Sequence, residues 1–195
     1  MLGSTPGGPP ARGADRPAWR ASMIALFAAL TAVGAQIQMP LPFSPVPVVL
    51  SNFFAILAGL VLGPRLGAAS QVVYLLLGAV GLPVFAGMRG GPQVLVGPTG
   101  GYLVGYILAA GAAGLLRGRR PDTGRAIAAA AAGAILIYVL GVPYLAAVTH
   151  MGLRRALLVG LLPFVPGDAV KVVIAGAVAP ALLRALGAQT ARSRA

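Results

Sequence analysis

Between Arg20 and Arg65 the chain carries no charged side chain, between Arg65 and Arg117 only Arg89, and between Arg125 and Arg154 again none. Apolar runs of this length do not suit a water-soluble domain, in which about a quarter of residues are charged. Here the share is 9% of 195 residues, with 58% hydrophobic. The fifteen basic residues face only Asp15, Asp122 and Asp168, for a net charge of +12. Such a balance suits nucleic acid only when the bases gather on one face or tail. These arginines punctuate apolar runs instead, as cytoplasmic loops do between membrane spans. Nucleic acid is therefore not an expected partner, and the lipid bilayer is. The chain has no cysteine, which excludes disulfides, thiolate nucleophiles and zinc–thiolate sites.

A membrane-spanning helix needs roughly 20 apolar residues, fewer where neighbouring protein covers it. The sequence predicts an all-α integral membrane protein with six transmembrane helices, near 20–39, 47–63, 66–81, 100–116, 125–148 and 165–186. The apolar segment 152–163 is short and flanked by proline, and is expected as a re-entrant or interfacial helix. Residues 1–18, rich in Gly, Pro, Ala and Arg, read as a disordered cytoplasmic tail. Residues 19–187 then form a single six-helix membrane domain, and 188–195 a cytoplasmic C-terminal tail. Arg16 and Arg20 before an apolar run resemble a signal peptide, but five further spans favour a retained anchor. With six spans the termini share one side. Arg12, Arg16, Arg20, Arg65, Arg117, Arg119, Arg120, Arg125, Arg184, Arg192 and Arg194 fall on it, against Arg89, Arg154 and Arg155 on the other. By the positive-inside rule both termini are cytoplasmic, in a multi-pass protein of the cytoplasmic membrane. The uncharged connector "MPLPFSPVP" (39–47) lies outside, its X-Pro steps favouring extended or turn geometry.

Small residues every fourth position let membrane helices approach closely. Gly97, Gly101, Gly105, Ala109 and Ala113 form such a row in the fourth span, best read as internal packing. Ala21, Ala25 and Ala29, with Ala28 and Ala32 offset, form another in the first, open to internal packing or to a partner.

Asp168 and Lys171 begin the last span, in "FVPGDAVKVVIAG". Charges inside membrane segments face protein or a water-filled cavity. The i, i+3 spacing puts both on one helix face, and the first turn favours the acid. A self-satisfied pair near the outer interface fits equally. Arg89 is the sole charge of the glycine-rich 82–99 loop, and its planar fork suits a carboxylate. No GxxxxGK[ST] motif occurs, so the chain has no P-loop ATPase of its own. His150 lacks a second ligand at helical spacing, so no metal site is expected, and nothing calls for a cofactor. Gln36, Gln38, Asn52 and Gln71 read as interhelical hydrogen-bonding positions, and Tyr102, Tyr106, Tyr138 and Tyr144 as an aromatic belt. Ser51 and Ser70 have no histidine–carboxylate partner, and no second carboxylate accompanies Asp168. A membrane-embedded transferase is therefore disfavoured, no catalytic residue is named, and the chain is not read as an enzyme.

"GLPVFAGMRGG", "VGPTGGYLVGY" and "LPFVPGDAVK", in this order and spacing, resemble the biotin-specific substrate-binding (S) component of energy-coupling-factor (ECF) vitamin transporters, the BioY family. The likeness runs from about Ala21 to Ala185 and includes "ALFAALTAVGA" and the "PVPVVL" connector. It implies an S-component-like six-helix bundle that binds biotin from outside and works with a transmembrane coupling subunit and ATPase subunits. It also implies that Ala25, Ala28, Ala29 and Ala32 contact the coupling subunit, and that Arg89, Asp168 and Lys171 line the vitamin site. Met88 stands where the family often has glycine, and Ser51-Asn52 replaces a common Gln-Thr pair, leaving Asn52 as the polar side chain of the second helix near the site. Biotin's ureido ring has two N–H donors and one carbonyl acceptor. Asp168 as acceptor and Lys171 as donor match it, Arg89 matches the valerate carboxylate, and Phe85 and Tyr102 match the apolar ring. The roles of Arg89 and Lys171 can be exchanged without chemical objection. The loop is expected to close over the ligand. A carrier for another small carboxylated vitamin remains the alternative.

Overall fold

The computed structural model describes residues 17–118 and 121–192, with side chains to residue 186. The expected N-terminal tail therefore falls almost wholly outside the described residues, as do Arg119 and Arg120. Eight helices occur among them: α1 (Pro17–Gln36), α2 (Ser51–Leu62), α3 (Pro64–Ala79), α4 (Pro92–Leu95), α5 (Gly100–Leu116), α6 (Thr123–Val148), α7 (Leu153–Gly160) and α8 (Val165–Arg192). The expected all-α fold gains one small ladder, β1 (Gln38–Met39) antiparallel to β2 (Val48–Val49), which closes the proline-rich connector into a hairpin.

Breaks in the chain are set by residues with a mechanical reason to break it. The chain reverses between α2 and α3 at Gly63–Pro64, where proline occupies the first turn and forfeits no helical hydrogen bond. Asp122 caps α6, its carboxylate accepting the Arg125 N–H at 2.7 Å, while Arg125 Nε donates to the Leu116 carbonyl at the end of α5. Six of the helices fall close to the six expected spans, and α7 to the expected interfacial segment. α8 continues to Arg192, through part of the segment expected as a tail.

By length and composition α1, α6 and the Val165–Leu186 part of α8 are able to cross a membrane. The span expected at 47–63 is cut short, because Val48 and Val49 pair with β1 and only Ser51–Leu62 is helical. At 1.5 Å per residue α2 is about 18 Å long, against a hydrocarbon core of about 30 Å.

α5 lies at the centre, packed against α6 on one side and α2 and α3 on the other, while α8 packs on α6 and α2. The small-residue row of the fourth span does serve internal contact: β-carbons at Gly101 and Gly105 would stand 2.4 Å from Tyr144 and 3.0 Å from Ile137, both on α6. On the other flank a β-carbon at Gly59 would stand 2.1 Å from the Ala110 carbonyl oxygen, a backbone atom with nowhere to go. Gly59→Leu must push α2 off α5, with an expected loss of at least about 2 kcal/mol. Thermal unfolding in detergent checks this; an unchanged midpoint would mean the α2–α5 contact is looser than described.

Helices α1, α3 and α6 end, and α2, α5 and α8 begin, at the same end of the bundle. Arg65, Arg117, Arg125 and Arg184 lie toward the other end, and Arg89, Arg154 and Arg155 toward the first.

Candidate functional site

The N-termini of α2, α5 and α8 meet the C-termini of α1, α3 and α6 at this end, so their opposite partial charges largely offset. A cavity opens between them, lined by residues of the hairpin, the 82–99 loop and all of these helices. Arg89, Asp168, Lys171, Tyr102, Phe85 and Asn52 all line it. Its volume is about 60 Å³, whereas pockets that enclose a drug-sized ligand measure roughly 300–1,000 Å³.

The charged floor begins on α8. The first-turn Asp168 is 6% exposed, and Lys171 lies one turn on, its Nζ 2.9 Å from Asp168 Oδ1. The same ammonium donates to the Val49 carbonyl at 2.6 Å and to Asn52 Oδ1 at 3.1 Å. An ammonium has three N–H donors, and these three acceptors take them all. This corrects the picture of Lys171 as a free donor: it ties α8 to the hairpin and to α2, and fixes the Asn52 amide with its oxygen toward the lysine. The other carboxylate oxygen, Oδ2, accepts the Tyr138 hydroxyl of α6. Both Asp168 oxygens keep further lone pairs, so acceptor capacity remains.

The tyrosines are not an interfacial belt. Tyr106 is buried and its hydroxyl pairs with Ser51 Oγ at 2.8 Å. Tyr102 is buried and donates to the Gly160 carbonyl at 2.9 Å, fastening the end of α7 to α5. The Tyr102 ring stands edge-on to Tyr138, centroids 6.2 Å apart. Tyr74 is 1% exposed, and its hydroxyl has no hydrogen-bond partner among the described residues. Tyr144, half-buried, donates to the Leu95 carbonyl at 3.1 Å. In helices apolar on every side no hydropathy period marks the inner face, so sequence alone could not separate belt from cavity wall.

The loop forms the roof. Phe85 and Arg89 exchange backbone hydrogen bonds, Phe85 N–H to Arg89 O at 2.9 Å and the reverse at 3.3 Å. Between them Gly87 and Met88 both have positive φ, 72° and 57°. A glycine reaches this conformation freely and methionine does not, so Met88 holds the turn at some expense. The Phe85 ring is buried edge-on against Tyr74, at 5.5 Å, in space left by Gly78; a β-carbon there would stand 2.0 Å from the ring. Arg89 Nε donates to the Ala86 carbonyl at 3.1 Å, and the exposed guanidinium has no carboxylate partner among the described residues. The Asp168–Lys171 pair is neutral as a unit, so the wall carries one unbalanced charge, that of Arg89.

Residues 12–188 match the profile of the BioY family. The chain belongs to the BioY family. The biotin transporter BioY of Thermotoga maritima is 47% identical over 154 residues, covering 79% of this chain and 89% of that protein. The probable biotin transporter BioY of Pyrococcus horikoshii is 45% identical over 161 residues, covering 83% and 94%. In three dimensions the chain is similar to the crystal structure of the S-component for biotin from an ECF-type ABC transporter, with a TM-score of 0.79, 25% identity, and 85% and 90% of the two chains covered. The BioY family relatives are named as transporters rather than enzymes.

The alanine row of α1 is split. Ala25 and Ala29 are exposed, but Ala28 is buried at 1% and Ala32 packs against the core. The four span an arc of roughly 100° on α1, and its edge at Ala28 turns into the bundle while Ala25 and Ala29 stay outward, so they do not form one outward surface. His150 sits with φ 54° in the turn after α6, and no group of metal-ligating side chains forms among the described residues.

Proposed function

We propose that this chain is the substrate-specific component of a biotin uptake system, binding the vitamin on the outer face of the cytoplasmic membrane in the cavity between α2, α5, α6 and α8. The observation that carries the reading is the charge arrangement: one neutral Asp168–Lys171 pair that keeps acceptor capacity on the carboxylate, and one unbalanced Arg89. That arrangement suits a ligand with a neutral polar head and a single carboxylate. Relatives named biotin transporters and the fold shared with a biotin S-component support the same ligand.

Asp168 accepts the ureido N–H groups. The Asn52 amide, oriented by Lys171, offers its N–H to the ureido carbonyl, so Lys171 acts through Asp168 and Asn52. Phe85 and Tyr102 cover the thiophane ring and Arg89 meets the valerate carboxylate. The polypeptide crosses the membrane six times, with α2 and α3 shielded by neighbouring helices, and both termini are cytoplasmic. The arginine distribution supports this orientation, since among the described arginines only Arg89, Arg154 and Arg155 lie at the cavity end. A transmembrane coupling subunit and ATPase subunits supply the energy, and the exposed Ala25 and Ala29 belong to the docking face on α1.

Titration of the detergent-purified protein with biotin is the direct test. Saturable heat at one biotin per chain is expected. No heat from a protein with an intact cooperative thermal transition would overturn biotin as the ligand and direct the search to other small carboxylated vitamins.

A further inference from the structure

A cavity of about 60 Å³ admits a vitamin only if part of its wall moves, and the 82–91 loop, with Gly87, Met88 and Arg89 exposed, is a part of that wall outside the main helices. Backbone bonds root the two ends of this loop on α3, Leu82 N–H to Leu77 O at 3.1 Å and Gly91 N–H to Gly78 O at 2.7 Å, and two contacts hold down the turn between them. One is the Phe85 ring, packed under Gly78 against Tyr74. The other is a single side chain, Gln36, the last residue of α1. Its Nε2 donates to the Phe85 carbonyl at 3.2 Å and the Val84 carbonyl at 3.4 Å, with Ala32 O at 3.2 Å as a third acceptor on its own helix. Its Oε1 accepts the Met88 N–H at 3.0 Å. One amide thus grips both limbs of the turn that carries Arg89, and satisfies the backbone N–H of the one non-glycine residue forced to a positive φ there.

We infer that Gln36 is a positioning residue, a latch that keeps the Phe85–Arg89 loop closed and thereby sets how long ligand stays bound. This rests on the cavity being the ligand site. The chemistry of the latch is specific in both directions. A carboxamide has a donor for Val84 and Phe85 and an acceptor for Met88; a carboxylate keeps only the acceptor and turns an oxygen toward two carbonyls. Gln36 does not itself line the cavity and meets its wall only at the Phe85 backbone carbonyl, so its removal changes the loop's closed population rather than the side-chain contacts ligand makes when the loop is shut.

The experiment compares wild type with Gln36→Ala and Gln36→Glu in two assays. Trypsin, applied to purified protein without ligand, reads opening through cleavage after Arg89, the only basic residue between Arg65 and Arg117. Dissociation of radiolabelled biotin reads residence time. Both variants are expected to be cut faster than wild type and to release biotin about tenfold faster, the effect of losing one to two net hydrogen bonds, with the association rate changed far less. Gln36→Glu decides the matter should Gln36→Ala not fold. Unchanged cleavage and unchanged release in a folded variant overturn the latch, as does a loss shared equally by both rates. Failure of wild type to bind biotin overturns the proposed function instead, and the tryptic assay still tests the latch.

Discussion

Asp168→Asn is expected to weaken biotin binding by at least about a hundredfold and to destabilise the protein at the same time. The carboxylate holds the Lys171 ammonium at 2.9 Å and the Tyr138 hydroxyl on its other oxygen, and is 6% exposed. Asparagine keeps the shape but removes the charge, and puts donor hydrogens where Tyr138 or a ureido N–H requires an acceptor. Breaking one side of a buried pair typically costs about 3–5 kcal/mol, because the surviving charge is stranded. Lost hydrogen bonds to a charged acceptor are worth about 1.5–3 kcal/mol each. Titration and thermal unfolding together separate the two effects. The double variant Asp168→Asn with Lys171→Met removes both charges, so it should recover much of the lost stability while recovering none of the binding. A single Asp168→Asn variant that bound biotin within threefold of wild type would remove Asp168 from the ligand site.

Arg89→Ala is expected to cost biotin roughly 10- to 100-fold in affinity, the range of one charge-assisted contact. A neutral biotin amide should lose less than threefold, because the contact depends on the ligand's charge. Added salt should narrow the difference between the two ligands in wild type and leave the variant unaffected, since Arg89 is exposed and screened. An equal loss for acid and amide would mean that Arg89 serves the loop, through its bond to the Ala86 carbonyl, rather than the carboxylate.

Much of the helical framework was legible because proline, glycine and charge punctuate it. Gly63–Pro64, Pro98-Thr99 before Gly100, and Asp122 before Thr123 mark element ends whose local chemistry is self-contained. The second span was misjudged at its start, since Val48 and Val49 are as apolar as the helix that follows, and only pairing with Gln38 and Met39 makes them strand. Asp168, Lys171 and Arg89 stood out as rare charges in an apolar chain. Ser51, Tyr74, Tyr106 and Tyr138 did not, because tyrosine and serine are ordinary residues in a membrane helix whether they face lipid headgroups or a cavity. Gln36 was visible only as a polar position, its bonds to Val84, Phe85 and Met88 lying about fifty residues along the chain.

The sequence by itself determined the membrane class, the order of the helices and the three charges worth explaining, since hydropathy and helix punctuation act over a few residues and need no partner. Tertiary structure alone decided which helix faces turn inward, that Lys171 spends all its donors on the protein, that Ala28 is buried while Ala25 and Ala29 are not, and that the roof loop hangs from the end of α1. Those outcomes depend on which backbone lies within 3 Å of which side chain, and in helices that are apolar all round nothing local favours one face over another.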